Sequence, residues 1–167
     1  MSRIRPVSLT IRRNPSEFWK QHLPKAIEEF KARRNLMLDY IPGEGQGKDL
    51  SGADLRGARL QAANLEGALL MDANLEGANL TLARLKYANL EGANLRGADL
   101  KDANVCNAYL KGADLSGANL VGTDFRDADL AGVNFDGVDV YRANFRFSWG
   151  LSAEQKEDFR SQYAIVD

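Results

Sequence analysis

Residues 88–102 read ANLEG-ANLRG-ADLKD, and this five-residue pattern runs without interruption from Lys48 to Phe147. These one hundred residues divide into twenty units of five. The central position is Leu in fifteen units and Val or Phe in the other five. Ala stands two places before it in sixteen units, and Asn or Asp stands one place before it in sixteen. An internal repeat this regular determines the architecture and must be explained first.

A five-residue period suits neither an amphipathic helix nor a straight strand. Along an α-helix, five steps of about 100° rotate each unit by about 140°, so the leucines would spiral around the rod. Along a strand, side chains alternate with period two, so an odd spacing would send successive leucines to opposite faces. All central residues can point inward only if the chain bends once per unit and coils around a narrow axis. The sequence therefore predicts a solenoid.

The glycines predict how many bends close one coil. Gly ends eleven of the twenty units, and sorting by every fourth unit gives classes that hold four, five, one and one glycines. Sorting by every third unit gives a nearly even spread, so we expect four sides, twenty residues per coil and about five coils. Type II turns, which need φ > 0 at the third residue, are predicted at the two glycine-rich corners. We expect negative φ at the remaining corners, which end in residues such as Leu82, Tyr87, Asp102, Asn107, Asp127 and Phe147.

This pattern resembles the pentapeptide repeat family, whose A(D/N)LXX motif forms a right-handed, four-sided β-helix. The resemblance covers residues 48–147 and implies an all-β solenoid in which the central residue and the Ala face inward. Burial of each central Leu or Phe contributes about 1.5–3 kcal/mol. Asn and Asp can bond backbone groups at the bends. Four units depart from that Asn/Asp column, at Arg59, Leu69, Arg84 and Tyr109.

The residues before the repeat are expected to form an arm and helices. Residues 1–13 carry four arginines and an alternating apolar pattern, which predicts an arm or a short strand. One or two N-terminal helices are expected over residues 14–40, because Asn14 and Pro15 form a helix start. Residues 41–47 are rich in Gly and predict a linker.

The residues after the repeat, 148–167, predict a capping helix. Ser152 and Gln155 form a capping-box pattern for a helix of about ten residues. The end of a β-helix exposes apolar side chains and open backbone groups, so we expect Trp149 and this helix to cover it. Three further residues give the helix an apolar side: Phe159, Tyr163 and Ile165. Members of the family sometimes dimerise through C-terminal helices, so the resemblance also implies a possible homodimer through this region.

Composition excludes most catalytic and ligand-binding classes. The chain has 22 Lys and Arg against 23 Asp and Glu, which argues against a general nucleic-acid binder. The single histidine, His22, and the single cysteine, Cys106, provide no catalytic triad and no metal-binding cluster. The sequence contains no run of about 18 apolar residues that would span a membrane. We expect a soluble, cytoplasmic protein that is not an enzyme and needs no cofactor or metal.

The first side of the predicted coil carries an apolar patch, Leu69, Met71 and Tyr109, where polar residues are usual. The favoured interpretation is that the N-terminal strand or helices pack on this patch. The alternative is that the patch binds a partner. The first side consists of five units: 48–52, 68–72, 88–92, 108–112 and 128–132.

The fourth side carries a basic strip with aromatic residues at its corners. We expect Cys106 to point outward there and to have a somewhat lowered pKa. The favoured interpretation is a solvent-exposed column of charged side chains, with Asp124 and Asp127 nearby. The alternative is a binding site for an acidic partner. The side consists of units 63–67, 83–87, 103–107, 123–127 and 143–147, and its candidate residues are Lys86, Tyr87, Cys106, Arg126, Arg146 and Phe147.

The leading functional hypothesis is a non-catalytic module for protein–protein interaction or scaffolding, with an unknown protein partner. The resemblance supplies the alternative, because some family members mimic DNA, bind type II topoisomerases and protect gyrase from quinolones. Such mimicry suits a long, strongly acidic, dimeric rod. The four sides predicted here carry net charges of only -2, -2, 0 and +1.

Overall fold

Residues 47–167 are described by a computed structural model, and the predictions for residues 1–46 lie outside the described residues. Isolated parallel β-bridges join residues twenty apart along the repeat, beginning with Asp49 to Leu69 and ending with Asp129 to Trp149. Each coil therefore contains twenty residues in four five-residue units. This arrangement confirms the solenoid prediction, whereas the right-handed sense stays a prediction.

The central residues form the core of the solenoid. From Leu55 to Phe145 every central residue is buried, and Leu60 is only 1% exposed. The rings of Phe125 and Phe145 stack with centroids 5.0 Å apart and planes 3° apart, as residues on the same side of successive coils should. Thr123 replaces an inward Ala, and its hydroxyl donates to the carbonyl of Leu100 at 2.7 Å. The one polar exception in the alanine column among residues 53–147 is thus hydrogen-bonded.

The backbone dihedrals at the corners contradict one prediction. The fifth residue of every unit has positive φ, whether or not it is Gly, so the expectation of negative φ at the remaining corners is wrong. All corners share one turn, closed by the amide of the next unit, as where Ala53 donates to the Leu50 carbonyl at 3.1 Å. The same turn repeats because every side has the same length and all sides must bend alike. The nine non-glycine corners are Ala62, Asp72, Leu82, Tyr87, Asp102, Asn107, Asp127, Arg142 and Phe147.

The Asn/Asp column stabilises these turns, as the sequence predicts. All sixteen Asn or Asp side chains in that column accept a hydrogen bond from the backbone amide two residues later, at 3.0–3.3 Å. One of the four exceptions makes another contact, because the Arg84 guanidinium pairs with Glu66 at 2.8 Å. The polar column thus supports the bend before each corner.

A single helix, α1 (Ala153–Ser161), is found within residues 47–167, and it covers the C-terminal end of the solenoid. Ser152 and Gln155 form the predicted capping box. Phe159 is 2% exposed and packs on Phe145 and Phe135, with centroid distances of 4.9 and 5.3 Å.

The apolar residues beside α1 do not all cover the end as expected. The side chain of Trp149 is 55% exposed and those of Tyr163 and Ile165 are also exposed, so Phe159 alone makes the buried aromatic contact. Trp149 and Ile165 contribute through their backbones, which pair with the last coil at Asp129 and Asn144. Trp149 thus pairs with open backbone groups of the last coil, as expected, while its ring stays largely exposed.

Candidate partner surfaces

The residues of the predicted apolar patch on the first side are partly exposed. Leu69 is 38% exposed and Tyr109 is 53% exposed, while Met71 is half-buried. The bridges place Leu69, Asn89 and Tyr109 one above another on successive coils. At a strand-like rise of about 4.8 Å per coil, Leu69 and Tyr109 are about 9.6 Å apart along the axis.

Trp149 extends this column beyond the repeat. Its amide donates to the Ala128 carbonyl at 3.1 Å, and its carbonyl accepts from the Leu130 amide at 2.9 Å. Asp129, one coil earlier, makes the same two kinds of bond. Trp149 thus occupies the second position of an incipient sixth coil on the first side, and its ring is exposed. We name Leu69, Tyr109 and Trp149 the first-side stripe.

Sequence reasoning missed Trp149 as part of the first side. The signal was present, because positions 69, 109 and 149 are each forty residues apart, which is two coils. The consensus stops at Phe147, however, and only the observed pairing shows that the register continues. Gly150 then lets the chain leave the coil, since it has φ of 94° and a Cβ there would collide with the backbone of Ala131.

The first side is acidic around the stripe. Its two lysines are Lys48 and Lys111, against four carboxylates. The Lys111 ammonium lies 3.9 Å from Glu91, which weakly offsets one of them. Hydrogen bonds from the side chain and backbone of Ser51 hold the pKa of Asp49 below its ordinary value. The four carboxylates are Asp49, Asp72, Glu91 and Asp129.

The fourth side places Cys106 differently from the prediction. Cys106 is 6% exposed, so it does not point into solvent. Burial, with a contribution from the neighbouring Asp124 carboxylate, raises the pKa of the Cys106 thiol to about 11. The expectation of an outward thiol is wrong because Cys106 is buried. The expectation of a lowered pKa is wrong because burial disfavours the thiolate, and Asp124 opposes it more than Arg126 favours it.

The charges of the fourth side largely interact with one another. Arg126 binds Asp124 through two nitrogens at 2.7 and 2.9 Å, and this carboxylate raises the pKa of Arg126. Partial burial opposes ionisation of Asp124, but hydrogen bonds from Arg126 and Cys106 outweigh it and lower the pKa of Asp124. The Lys86 ammonium lies 4.8 Å from the centre of the Tyr87 ring, a cation–π distance. Arg146 and Phe147 are exposed.

The described part of the chain contains no group of three or more His, Cys, Asp or Glu arranged to hold a metal ion. Within residues 47–167, no helix is both long enough and apolar enough to cross a membrane. His22 lies outside the described residues.

The pentapeptide repeat family profile, described as Pentapeptide repeats, matches with eight copies over residues 49–86, 73–112 and 108–146. These matches together extend over more than half of the chain. The chain belongs to the pentapeptide repeat family. The family assignment confirms the resemblance seen in the repeat.

Solved structures of other pentapeptide repeat proteins are similar to this chain. One from the thylakoid lumen of Arabidopsis thaliana is 28% identical with a TM-score of 0.42, covering 78% of this chain and 86% of the other. Rfr23 from the cyanobacterium Cyanothece 51142 is 24% identical with a TM-score of 0.48, covering 72% and 89%. QnrB1, a plasmid-mediated fluoroquinolone resistance protein, is 19% identical with a TM-score of 0.58, covering 71% of this chain and 58% of its own. The likeness to QnrB1 supports the β-helix fold alone. No curated protein matches the chain.

Proposed function

We propose that this pentapeptide repeat protein is a non-catalytic interaction or scaffold module that binds a protein partner through its first side. The observation that supports the proposal is the first-side stripe, three large apolar side chains that are 38–55% exposed in one straight column. Exposed apolar residues that lie together on a surface typically mark a binding site. The cytoplasm stays our prediction for its location.

Tyr109 stands where the family consensus has Asn or Asp. The sixteen consensus residues each accept a turn hydrogen bond, and a tyrosine ring at this position has no such acceptor. A residue that forgoes a local bond and exposes an aromatic ring contributes more to binding than to folding. The same reasoning applies to Leu69, which also replaces Asn or Asp.

Site-directed cross-linking tests the proposal. A photoreactive amino acid at position 109 should capture a protein partner from the cell of origin. The same group at position 141, which lies beside Tyr163 at the proposed dimer contact, should capture at most a second copy of this chain. Tyr141 is a matched control, since it is a similarly exposed tyrosine on the third side. Leu69→Asp and Tyr109→Asp should each reduce the amount of partner that co-purifies with the chain by about tenfold, as expected at a binding hot spot. Identical partners with and without these substitutions would refute the choice of side.

The C-terminal end supports a second proposal about assembly, a homodimer. Tyr163 is 76% exposed and its ring lies 6.1 Å from that of Tyr141, in an edge-to-face contact. Sedimentation velocity of the whole chain and of Tyr163→Asp tests it: a dimer should become a monomer. A monomer at all concentrations would exclude the homodimer.

Modulation of a type II topoisomerase by DNA mimicry remains the alternative function. The net charge of the coil disfavours DNA mimicry, because even the most acidic sides carry a net charge of only -2 over their five units. A supercoiling assay with gyrase decides the matter, and an unchanged reaction at micromolar protein would remove this alternative.

A further inference from the structure

The apolar residues of the first-side stripe recur at every second coil. Leu69, Tyr109 and Trp149 alternate along the column with polar residues. At about 4.8 Å per coil, the apolar residues are spaced by about 9.6 Å and extend over about 19 Å. A ligand that contacts all three must present groups on one face at this interval.

Of the regular backbone conformations, polyproline II matches this interval best. It has three residues per turn and rises about 3.1 Å per residue, so one face recurs every 9.3 Å or so. An α-helix presents the same face every seven residues, or about 10.5 Å, and drifts out of register by nearly 2 Å over the stripe. An extended strand advances about 10 Å in three residues, but an odd step places the side chain on the opposite face.

The backbone of the first side cannot accept an added strand. Most of its amides and carbonyls bond along the axis to the coils above and below, as where Leu90 donates to the Tyr109 carbonyl at 2.7 Å. Recognition therefore relies mainly on side chains. A polyproline II ligand suits such a surface, because its backbone has no internal hydrogen bonds and its carbonyls remain free to accept them.

Asn89 supplies a donor between Leu69 and Tyr109. Its side-chain oxygen accepts from the Glu91 amide at 3.0 Å, so its amide nitrogen is the group left for a further hydrogen bond. On the second side the corresponding nitrogen of Asn94 donates to Asn74 in the preceding coil at 3.2 Å. The residue that pairs with Asn89 in the preceding coil is Leu69, whose side chain has no acceptor and whose carbonyl already accepts from the Leu50 amide. Within the described residues the Asn89 amide nitrogen is therefore available to bond a ligand carbonyl.

Charge determines which other residues the ligand carries. Two lysines against four carboxylates leave the first side at -2, with Asp129 lying between Tyr109 and Trp149. From these observations we infer that the first-side stripe binds a proline-rich, arginine-containing segment in the polyproline II conformation. This inference rests on the proposed interaction function and names its partner class. A second copy of this chain would match the spacing, but it would bring like charges together.

Peptide binding to the full chain tests the inference, with (Pro-Pro-Arg)4 as the probe. One control peptide, (Gly-Ser-Arg)4, keeps the charge and removes the conformation, and another, (Pro-Pro-Glu)4, reverses the charge. Fluorescence anisotropy should give a dissociation constant for the probe that is about tenfold or more below that of either control. Equal affinity for (Gly-Ser-Arg)4 would mean charge attraction only and would overturn the inference.

Protein variants test the spacing. Tyr109→Ser and Trp149→Ser should each weaken probe binding by about tenfold, whereas Tyr141→Ser should change it less than about twofold. The sharpest variant exchanges two residues of the same column, Asn89→Tyr with Tyr109→Asn. It keeps composition, charge and the repeat position of both residues, but it changes the apolar spacing to one and three coils. Binding should fall about tenfold with an unchanged melting temperature, and unchanged binding would overturn the inference.

Other occupants of the stripe give distinguishable outcomes. A cross-link from position 109 to residues 1–46 of the same chain, or a dimer that Tyr109→Ser dissociates, would assign the stripe to that occupant and overturn the inference. A captured partner that needs Tyr109 but contains no proline-rich segment would overturn this inference alone. Partners that are indifferent to Tyr109→Asp would overturn the proposed function as well.

Discussion

The first and fourth sides both depart from the consensus on their outer surfaces, but the structure treats the departures differently. On the fourth side Arg126 pairs with Asp124, Lys86 lies over Tyr87, and the odd cysteine is buried. On the first side the stripe of Leu69, Tyr109 and Trp149 remains exposed. A departure from a repeat therefore points to binding only where neighbouring residues do not already satisfy it.

The largest expected effect lies in the core beneath the fourth side. Phe125→Ala should lower the free energy of unfolding by about 3–5 kcal/mol, because it removes a fully buried ring that stacks on Phe145. Arg146→Ala on the surface of the same side should change it by less than about 0.5 kcal/mol. Urea denaturation measures both. A similar effect of the two variants would mean that the surface of this side, and not its core, stabilises it.

Two glycines at one corner column of the first side allow a finer comparison. Both Gly92 and Gly112 have positive φ, but a Cβ at 92 would lie 2.5 Å from the Asp72 carboxylate, whereas a Cβ at 112 would meet nothing within 4 Å. Gly112→Ala should therefore cost about 1–2 kcal/mol from backbone strain alone. Gly92→Ala should cost more, and Asp72→Ala should relieve the excess. Equal melting temperatures for the two glycine variants would contradict this account.

Tyr109→Asn should stabilise the protein while weakening partner binding. It restores the side-chain acceptor that the other units use, which contributes about 0.5–1.5 kcal/mol. The reverse change on the second side, Asn94→Tyr, should destabilise by a similar amount, because Asn94 accepts from the Arg96 amide at 3.1 Å. Thermal unfolding measures the predicted changes in stability, and peptide binding to the same preparations measures the predicted loss of affinity. A destabilised Tyr109→Asn variant would show that the tyrosine serves folding.

The smallest effect concerns the thiol of the fourth side. The folded pKa of Cys106, about 11, lies above its ordinary value of 9.0, so folding favours the protonated thiol. Its contribution to stability is complete below pH 9 and is lost as the pH rises through 11. Alkylation by iodoacetamide at pH 8 should be at least about tenfold slower in the folded chain than in urea. Equal rates would mean that the thiol is exposed as the sequence first suggested.

The repeat itself predicted the interior of this protein well. A residue that is apolar in all twenty units must be buried, and the uneven glycines identified the twenty-residue coil. The capping box at Ser152 and Gln155 followed from local chemistry, since both partners lie within four residues. Each of these predictions needed only short-range geometry.

The failures all depended on packing between coils. Glycine is frequent at corners where positive φ costs the least free energy. The identical turns nevertheless require positive φ at every corner, including Leu82 and Tyr87. The burial of Cys106 depends on side chains one coil away, at Asp124 and Arg126. The place of Trp149 depends on a backbone pairing that continues after the consensus has ended.

Because residues twenty apart pair, the distance between two residues on the same side can change only in steps of one coil. Adding or removing a complete coil between Tyr109 and Trp149 would move them apart or together by about 4.8 Å without turning either away from the first side. Adding or removing one five-residue unit would instead send every later residue to the neighbouring side. The number of whole coils thus sets the distance between Tyr109 and Trp149, and the number of single units sets the side on which each lies. Duplication of whole coils during evolution can therefore lengthen this surface without changing its side.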